Sequence, residues 1–146
     1  MRLRSLAVAA TAAAGALAFA AAPASATPVV PWGPLTVAPG ETIICGPDAF
    51  FPTDPGISYS TCILDKNGTA QAVLAVTSRS ATPVTVLGEV RSVQSGWSSA
   101  ADCDADTLSP GQTLICTGPA GAVTATPTQL PWAKLTVDGV QVSYTP

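Results

Sequence analysis

Apolar residues alternate with polar ones at a period of two along most of this chain, and Pro, Gly, Asn and Asp repeatedly interrupt the alternation. A period of two sends successive side chains to opposite faces of a strand, so each run buries one face only as part of a sheet. Ala70, Ala72, Leu74 and Val76 share one face over residues 70–76. Val84, Val86 and Val90 share another over 84–91, opposite Thr85, Glu89 and Arg91. Val140, Val142 and Tyr144 alternate with Gln141 and Ser143. Gly88 falls inside the second run, at the kind of position where a bulge or a close backbone approach is common. No window of about eleven residues after the N-terminal segment carries the apolar stripe of a helix.

Turn chemistry lies between these runs. Asp138-Gly139 separates Leu135-Thr136-Val137 from Val140-Gln141-Val142, and both turn residues accept positive φ, which makes this the strongest short hairpin signal. Asp65-Lys66-Asn67-Gly68 separates residues 57–64 from 69–78. Asn67-Gly68-Thr69 also spells a glycosylation sequon, but it reads as a turn. Pro39-Gly40-Glu41-Thr42-Ile43-Ile44-Cys45 is echoed by Pro110-Gly111-Gln112-Thr113-Leu114-Ile115-Cys116, a Pro-Gly turn feeding a strand that ends in Cys. Pro31-Trp32 and Pro131-Trp132 both lead into Leu-Thr-Val, but at a different offset, so one clean duplication does not account for both echoes. About eight or nine short strands with turns between them predict an all-β antiparallel sandwich.

The first 26 residues have another character. Arg2 and Arg4 precede an apolar stretch from Leu6 to Ala22, Pro23 breaks it, and Ala24-Ser25-Ala26 supplies an A-x-A cleavage site. Residues 1–26 therefore read as a secretory signal peptide of bacterial style, and 27–146 as a single domain. The stretch is Ala-rich and broken by Gly15, which favours cleavage over a membrane anchor. The expected location is extracellular, without membrane association after cleavage.

All four cysteines, Cys45, Cys62, Cys103 and Cys116, follow the signal peptide. An even number in a small secreted domain reads as two disulfides. Cys45–Cys62 with Cys103–Cys116 is the favoured connectivity, because short separations close between neighbouring strands; an inter-sheet pairing such as Cys45–Cys116 is the rival. Loops of this size each stabilise by roughly 3 kcal/mol in the chain-entropy account. The C-x-x-C spacing of metal and redox sites is absent.

Several function classes fall away. With no histidine, the Ser-His-Asp and Cys-His arrangements and the commonest zinc ligand are unavailable. The segment after the signal peptide has no G-x-S-x-G, Ser-x-x-Lys, P-loop or H-E-x-x-H. Nine acids oppose four bases there, Lys66, Arg79, Arg91 and Lys134, so no basic patch points to nucleic acid or an anionic membrane surface. The acids sit mostly beside Pro, Gly or Cys, as solvated loop residues do. Asp102, Asp104 and Asp106 form D-x-D-x-D, the alternation that supplies oxygens to Ca²⁺ in an EF-hand, but Thr107 and Thr113 stand where that loop needs Gly and Glu. They read as a solvated acidic loop around Cys103. Neither an enzyme, a cofactor nor a metal site is expected.

The aromatics offer the better functional lead. Phe50 and Phe51 lie in a Pro- and Asp-rich loop over residues 46–56, and strand alternation cannot turn both inward. Trp97 lies in Ser95-Gly96-Trp97-Ser98-Ser99 without apolar neighbours. Phe50, Phe51 and Trp97 are thus candidate binding anchors, against the alternative that each closes an end of the core. Trp32 and Trp132, placed before Leu-Thr-Val, read as core.

The stretch Ala70–Val90, then Cys103, then Thr107-Leu108-Ser109-Pro110-Gly111-Gln112-Thr113-Leu114-Ile115-Cys116-Thr117, resembles the immunoglobulin-like sandwich repeats of bacterial secreted and cell-surface proteins. Those typically run V-x-V-x-N, a Cys, and L-x-P-G-x-x-x-x-C-T. The likeness covers roughly Ala70–Pro146, and Ser78-Arg79-Ser80 departs from the family's frequent Asn-x-Gly. It implies an immunoglobulin-like β-sandwich with structural or adhesive roles and no catalysis. The segment from Asp65 to Val76 is similar to one in the neocarzinostatin-type chromoprotein apoproteins, which are secreted, acidic and two-disulfide; the Cys spacings here are longer and no ligand residues carry over. The expectation is a monomeric, secreted, non-catalytic binding or surface-structural protein whose partner is an extracellular protein or a cell-wall polysaccharide. The alternatives are a small protein inhibitor of an extracellular hydrolase, using residues 46–56 or 92–102 as its contact loop, and a small-ligand carrier.

Overall fold

A computed structural model describes residues 26–94 and 97–146, with side chains 93 and 94 excepted. Apart from Ala26, the expected signal peptide lies outside them. Eleven strands occur among the described residues: β1 (Val29–Val30), β2 (Thr42–Cys45), β3 (Ala49–Phe51), β4 (Asp54–Lys66), β5 (Thr69–Ser78), β6 (Val84–Gln94), β7 (Trp97–Leu108), β8 (Thr113–Thr117), β9 (Gly121–Ala122), β10 (Trp132–Val137) and β11 (Val140–Tyr144). The expected count of eight or nine short strands needs correction in both respects. β1, β3 and β9 are too short to show an alternation, while β4 to β7 are long, because Pro55-Gly56 and the Asp102–Asp106 run are carried inside strands rather than ending them.

The strands form two sheets, one in the order β1-β7-β6-β10-β11 and one in the order β2-β4-β5-β8, with β3 also on β4 and β9 also on β5. Every pairing is antiparallel except β1 with β7. Both foreseen hairpins are present. Asn67 and Gly68 (φ 40° and 88°) join β4 to β5, and Asp138 and Gly139 (φ 46° and 82°) join β10 to β11; positive φ at both turn positions matches the natural twist of the flanking strands.

The core forms between the two inner faces. Ile57, Tyr59 and Ile63 of β4, Ala70, Ala72, Leu74 and Val76 of β5, and Leu114 of β8 meet Val84, Val86 and Val90 of β6 and Ala133, Leu135 and Val137 of β10. These are the faces that alternation selected in β5 and β6. β11 is an edge strand, so Val142 and Tyr144 are only partly buried against the core and Val140 is exposed.

The N-terminal segment closes the open side of this sandwich. Val29 and Val30 pair with Asp102 and Cys103 on the first sheet. Three residues on, Gly33 exchanges two backbone hydrogen bonds with Ile115 on the second (3.0 and 2.8 Å). Between them Trp32 inserts its ring into the core, and its Nε1–H donates to the Asp104 carbonyl at 2.7 Å. Gly88 makes room: a Cβ there would lie 2.7 Å from two atoms of the Trp32 ring and 3.2 Å from Leu74. The pairing of β6 with β7 also shifts register between Val86 and Gly88, with the extra residue on β7. The expected bulge and the expected close approach therefore occur together.

From Gly33 the chain passes to Thr42, which pairs with Asp65 at the opposite edge of the second sheet. The second sheet also has an outer face, turned away from the first sheet. There Cys62, Leu64, Val73 and Ile115 form a second buried cluster, with Ile43 and Ala75 against it.

Both favoured disulfides are present, Cys45–Cys62 and Cys103–Cys116. The first joins directly opposed residues of neighbouring strands. The second links β7 to β8 and so crosses between the sheets, with a Cα separation of 5.8 Å. The Ser109–Gln112 turn carries the chain from one sheet to the other, held by Gln112 N–H to Ser109 O (3.0 Å) and Ser109 N–H to Gln112 Oε1 (2.9 Å).

Two substitutions test this packing. Gly88→Ala is expected to destabilise by about 1–3 kcal/mol through collision with Trp32, read as a lower urea midpoint. Thr61→Val is expected to stabilise by about 1 kcal/mol, because Thr61 Oγ1 is buried without a hydrogen-bond partner among the described residues and valine removes that orphaned hydroxyl.

Candidate functional site

Alternation in β3 separates the adjacent phenylalanines. Ala49 lies opposite Tyr59 and Phe50 opposite Ser58, so Phe51 turns inward and Phe50 outward. Phe51 is 1% exposed and meets the Tyr59 ring edge-on at 6.5 Å; Phe50 is 60% exposed. Phe51 is thus a core residue, and the anchor expectation is corrected for it while Phe50 keeps the exposure an anchor needs.

The hairpin around Phe50 is fastened on several sides. Cys45–Cys62 closes its base, and Gly46 N–H donates to Thr61 O at 3.0 Å. Tyr144 O–H donates to Pro47 O at 2.6 Å, and its ring packs edge-on against Tyr59 at 5.6 Å. On the returning side, Asp54 accepts from Gly56 N–H and from Ser80 Oγ–H, while Arg79 N–H donates to Gly56 O at 2.7 Å. Sequence reasoning found the loop and its disulfide but not the clasps from Arg79, Ser80 and Tyr144, which lie 23, 26 and 97 positions from their partners.

Trp97 also corrects the expectation. It is 5% exposed, and its Nε1–H donates to Ala70 O at 3.1 Å. Odd-numbered residues of β7 face the core as far as Cys103, and Trp97 obeys that parity despite its polar neighbours. The stretch 92–102 is accordingly not a free contact loop; its described residues belong to β6 and β7.

Trp132 departs the other way. It was expected in the core but is 37% exposed. Ala133, Leu135 and Val137 are the inward residues of β10, so Trp132, Lys134 and Thr136 face outward. Counting back by twos from Val137 would have revealed this.

Around Trp132 the outer face of the five-stranded sheet carries a connected row of charges. Lys134 lies opposite Glu89, and Glu89 opposite Asp102. Arg91 Nη2 contacts Asp102 Oδ1 at 2.7 Å and Glu89 Oε1 at 3.2 Å; Lys134 Nζ lies 3.5 Å from Glu89 Oε2 and 5.5 Å from the centre of the Trp132 ring. Beside it is a shallow concavity of about 270 Å³ lined by Leu87, Glu89, Asp102, Lys134, Thr136 and Gln141, among others.

The D-x-D-x-D segment lies in β7 rather than in a loop. Asp102 is taken by Arg91, Asp104 offers its carbonyl to Trp32, and Asp106 Oδ1 accepts from Thr107 N–H. The carboxylates of Asp102 and Asp106 thus serve separate partners, and Asp104 takes part through its main-chain carbonyl. Among the described residues no group of three or more His, Cys, Asp or Glu converges as a metal would require.

Burial, with smaller contributions from Asp48 and Tyr59, raises the Tyr144 phenol above its ordinary pKa near 10. A group whose pKa is higher folded than unfolded stabilises fully below its unfolded value and loses that contribution as pH rises through the folded one. The clasp on Pro47 is therefore expected to hold at neutral pH and to fail above about pH 10. Tyr144→Phe should lower the neutral-pH urea stability by about 1 kcal/mol, and the gap between the two proteins should shrink above that pH.

No protein-family profile, no curated protein and no solved structure matches the chain.

Proposed function

We propose that this chain is a secreted, non-catalytic binding protein that contacts an extracellular protein through the 46–56 hairpin, with Phe50 as the anchor. The observation that carries this reading is the combination of a 60% exposed phenylalanine with a backbone clasped by a disulfide, Tyr144 and Asp54. Exposing a large aromatic ring to water is unfavourable unless a partner covers it, and a backbone already held in place loses little further entropy on binding. Asp48 lies two residues before Phe50, so the complementary partner offers an apolar pocket with basic groups at its rim.

The resemblance to bacterial immunoglobulin-like surface repeats agrees with an extracellular role, and the two disulfides suit an oxidising compartment. A second reading, inhibition of an extracellular hydrolase, is favoured by the same hairpin, since a rigid loop beside a disulfide can occupy a substrate cleft without changing shape. A carrier role draws less support, because Trp32, Phe51, Leu74 and their neighbours fill the space between the sheets.

Affinity capture from native culture medium with the wild-type protein and Phe50→Ala compares these readings. The expected result is a protein captured by the wild type and lost, by about tenfold or more in affinity, with Phe50→Ala. If the captured protein is a hydrolase whose activity falls on binding, the inhibitor reading holds. Equal capture by both proteins overturns the hairpin assignment.

A further inference from the structure

We propose that the outer face of the five-stranded sheet is a second binding site, for a neutral polysaccharide, with a sugar ring laid against Trp132. This site is independent of the Phe50 hairpin, which lies on the other sheet.

The first support is the electrostatic state of the face. Its central row holds two cations and two carboxylates, and each is engaged within the row: Lys134 with Glu89, Glu89 with Arg91, and Arg91 with Asp102. The row itself is neutral, and Asp104 adds one further carboxylate on the same concavity, which disfavours an anionic ligand again. An anionic ligand would meet both carboxylates, and a cationic ligand would meet both bases. An uncharged ligand meets neither penalty.

The second support is hydrogen-bonding capacity. A guanidinium carries five N–H donors, an ammonium three, and each carboxylate about four acceptor positions. The ion pairs consume only part of this capacity, and Thr136 and Gln141 add mixed groups on the same concavity. A face offering donors and acceptors side by side suits hydroxyl groups, each of which donates and accepts.

The third support is Trp132 itself. Its indole is exposed at the end of that row, and Lys134 ties it to the charges. Aromatic rings are flat, apolar plates with negative faces, which complement the C–H surface of a pyranose. The concavity beside the row is shallow rather than enclosed, which suits a chain lying along the surface.

The three tryptophans make the test direct. Trp32 and Trp97 are buried and hydrogen-bonded, so Trp132 alone reports solvent contact. The purified protein is titrated with soluble neutral glycans (laminarin, xylan, soluble starch and chitooligosaccharides) while Trp emission is followed. Retention on insoluble cellulose, chitin and peptidoglycan is measured in parallel. The expected result is a saturable blue shift or retention with at least one neutral glycan. Trp132→Ala should weaken it about tenfold or more, Trp132→Phe should retain part of it, and Phe50→Ala should leave it unchanged. Because Trp132 is outside the core, the alanine variant should melt close to the wild type. Absence of binding to every neutral glycan, binding confined to anionic ones, or full binding by Trp132→Ala overturns the proposal. So does a Trp132-dependent protein complex that forms without glycan. The hairpin reading survives any of these, because its readout is Phe50-dependent capture.

Discussion

The contact between the Trp32 ring and the bare backbone of Gly88 organises this sandwich. Two stacked sheets leave an open seam along one side, between β7 on one sheet and β8 on the other. The chain closes it at one level. Gly88 lies opposite Cys103, Cys103 is bonded across the seam to Cys116, and Ile115, beside Cys116, pairs with Gly33, the residue after Trp32. A covalent cross-link and an aromatic plug thus occupy the same stretch of seam. The consequences spread outward. The residues before Trp32 lie along β7, the extra residue of β7 lies where the Asp104 carbonyl meets the indole, and the residues after Trp32 begin their passage across the second sheet from a fixed point. A tryptophan at this site works only with glycine opposite, and a glycine at this site would leave a void without the tryptophan.

Much of this was legible wherever one physical signal acted alone. The strong alternations of β5 and β6 gave their buried faces, and the Asn-Gly and Asp-Gly turns gave two hairpins, because positive φ is affordable to few other residues. Gly88 was legible as an anomaly, but its partner was not, since Trp32 is 56 residues away and no local pattern connects them. Cys103–Cys116 was paired correctly for a reason that does not describe it. A short separation suggested neighbouring strands, whereas a tight Pro-Gly turn moves the chain to the other sheet. The aromatic residues misled where neighbours were weighed ahead of parity. Trp97 among serines looked exposed and Trp132 before Leu-Thr-Val looked buried, yet in both cases the position along the strand decided the face.

The two outer faces of the sandwich have been treated differently, and this is where function enters. On the second sheet the outer face carries its own buried apolar cluster, with Ile43 and Ala75 packed against it. On the first sheet nothing of the described chain plays that part, and the face carries the Lys134–Glu89–Arg91–Asp102 row, Leu87 and Trp132 instead. A sandwich needs one buried face per sheet for stability. An apolar cluster buried on one outer face, against an exposed indole and ordered charges on the other, makes the two sheets chemically unlike.

The charge row itself argues in the same direction. Exposed ion pairs contribute about 0–1 kcal/mol each, since the Coulomb gain is offset by the entropy of fixing two long side chains. Asp102 and Lys134 retain roughly two-fifths of their side-chain exposure, so the row adds little to stability for the four ionisable residues it occupies. What it does add is order. Arg91 is held by two carboxylates at once, Glu89 by two cations, and Lys134 is thereby set against the Trp132 ring. A surface whose polar groups are fixed before contact loses less entropy on contact. Order of this kind, at a place where it yields little stability, is what the glycan site proposed for this face would draw on.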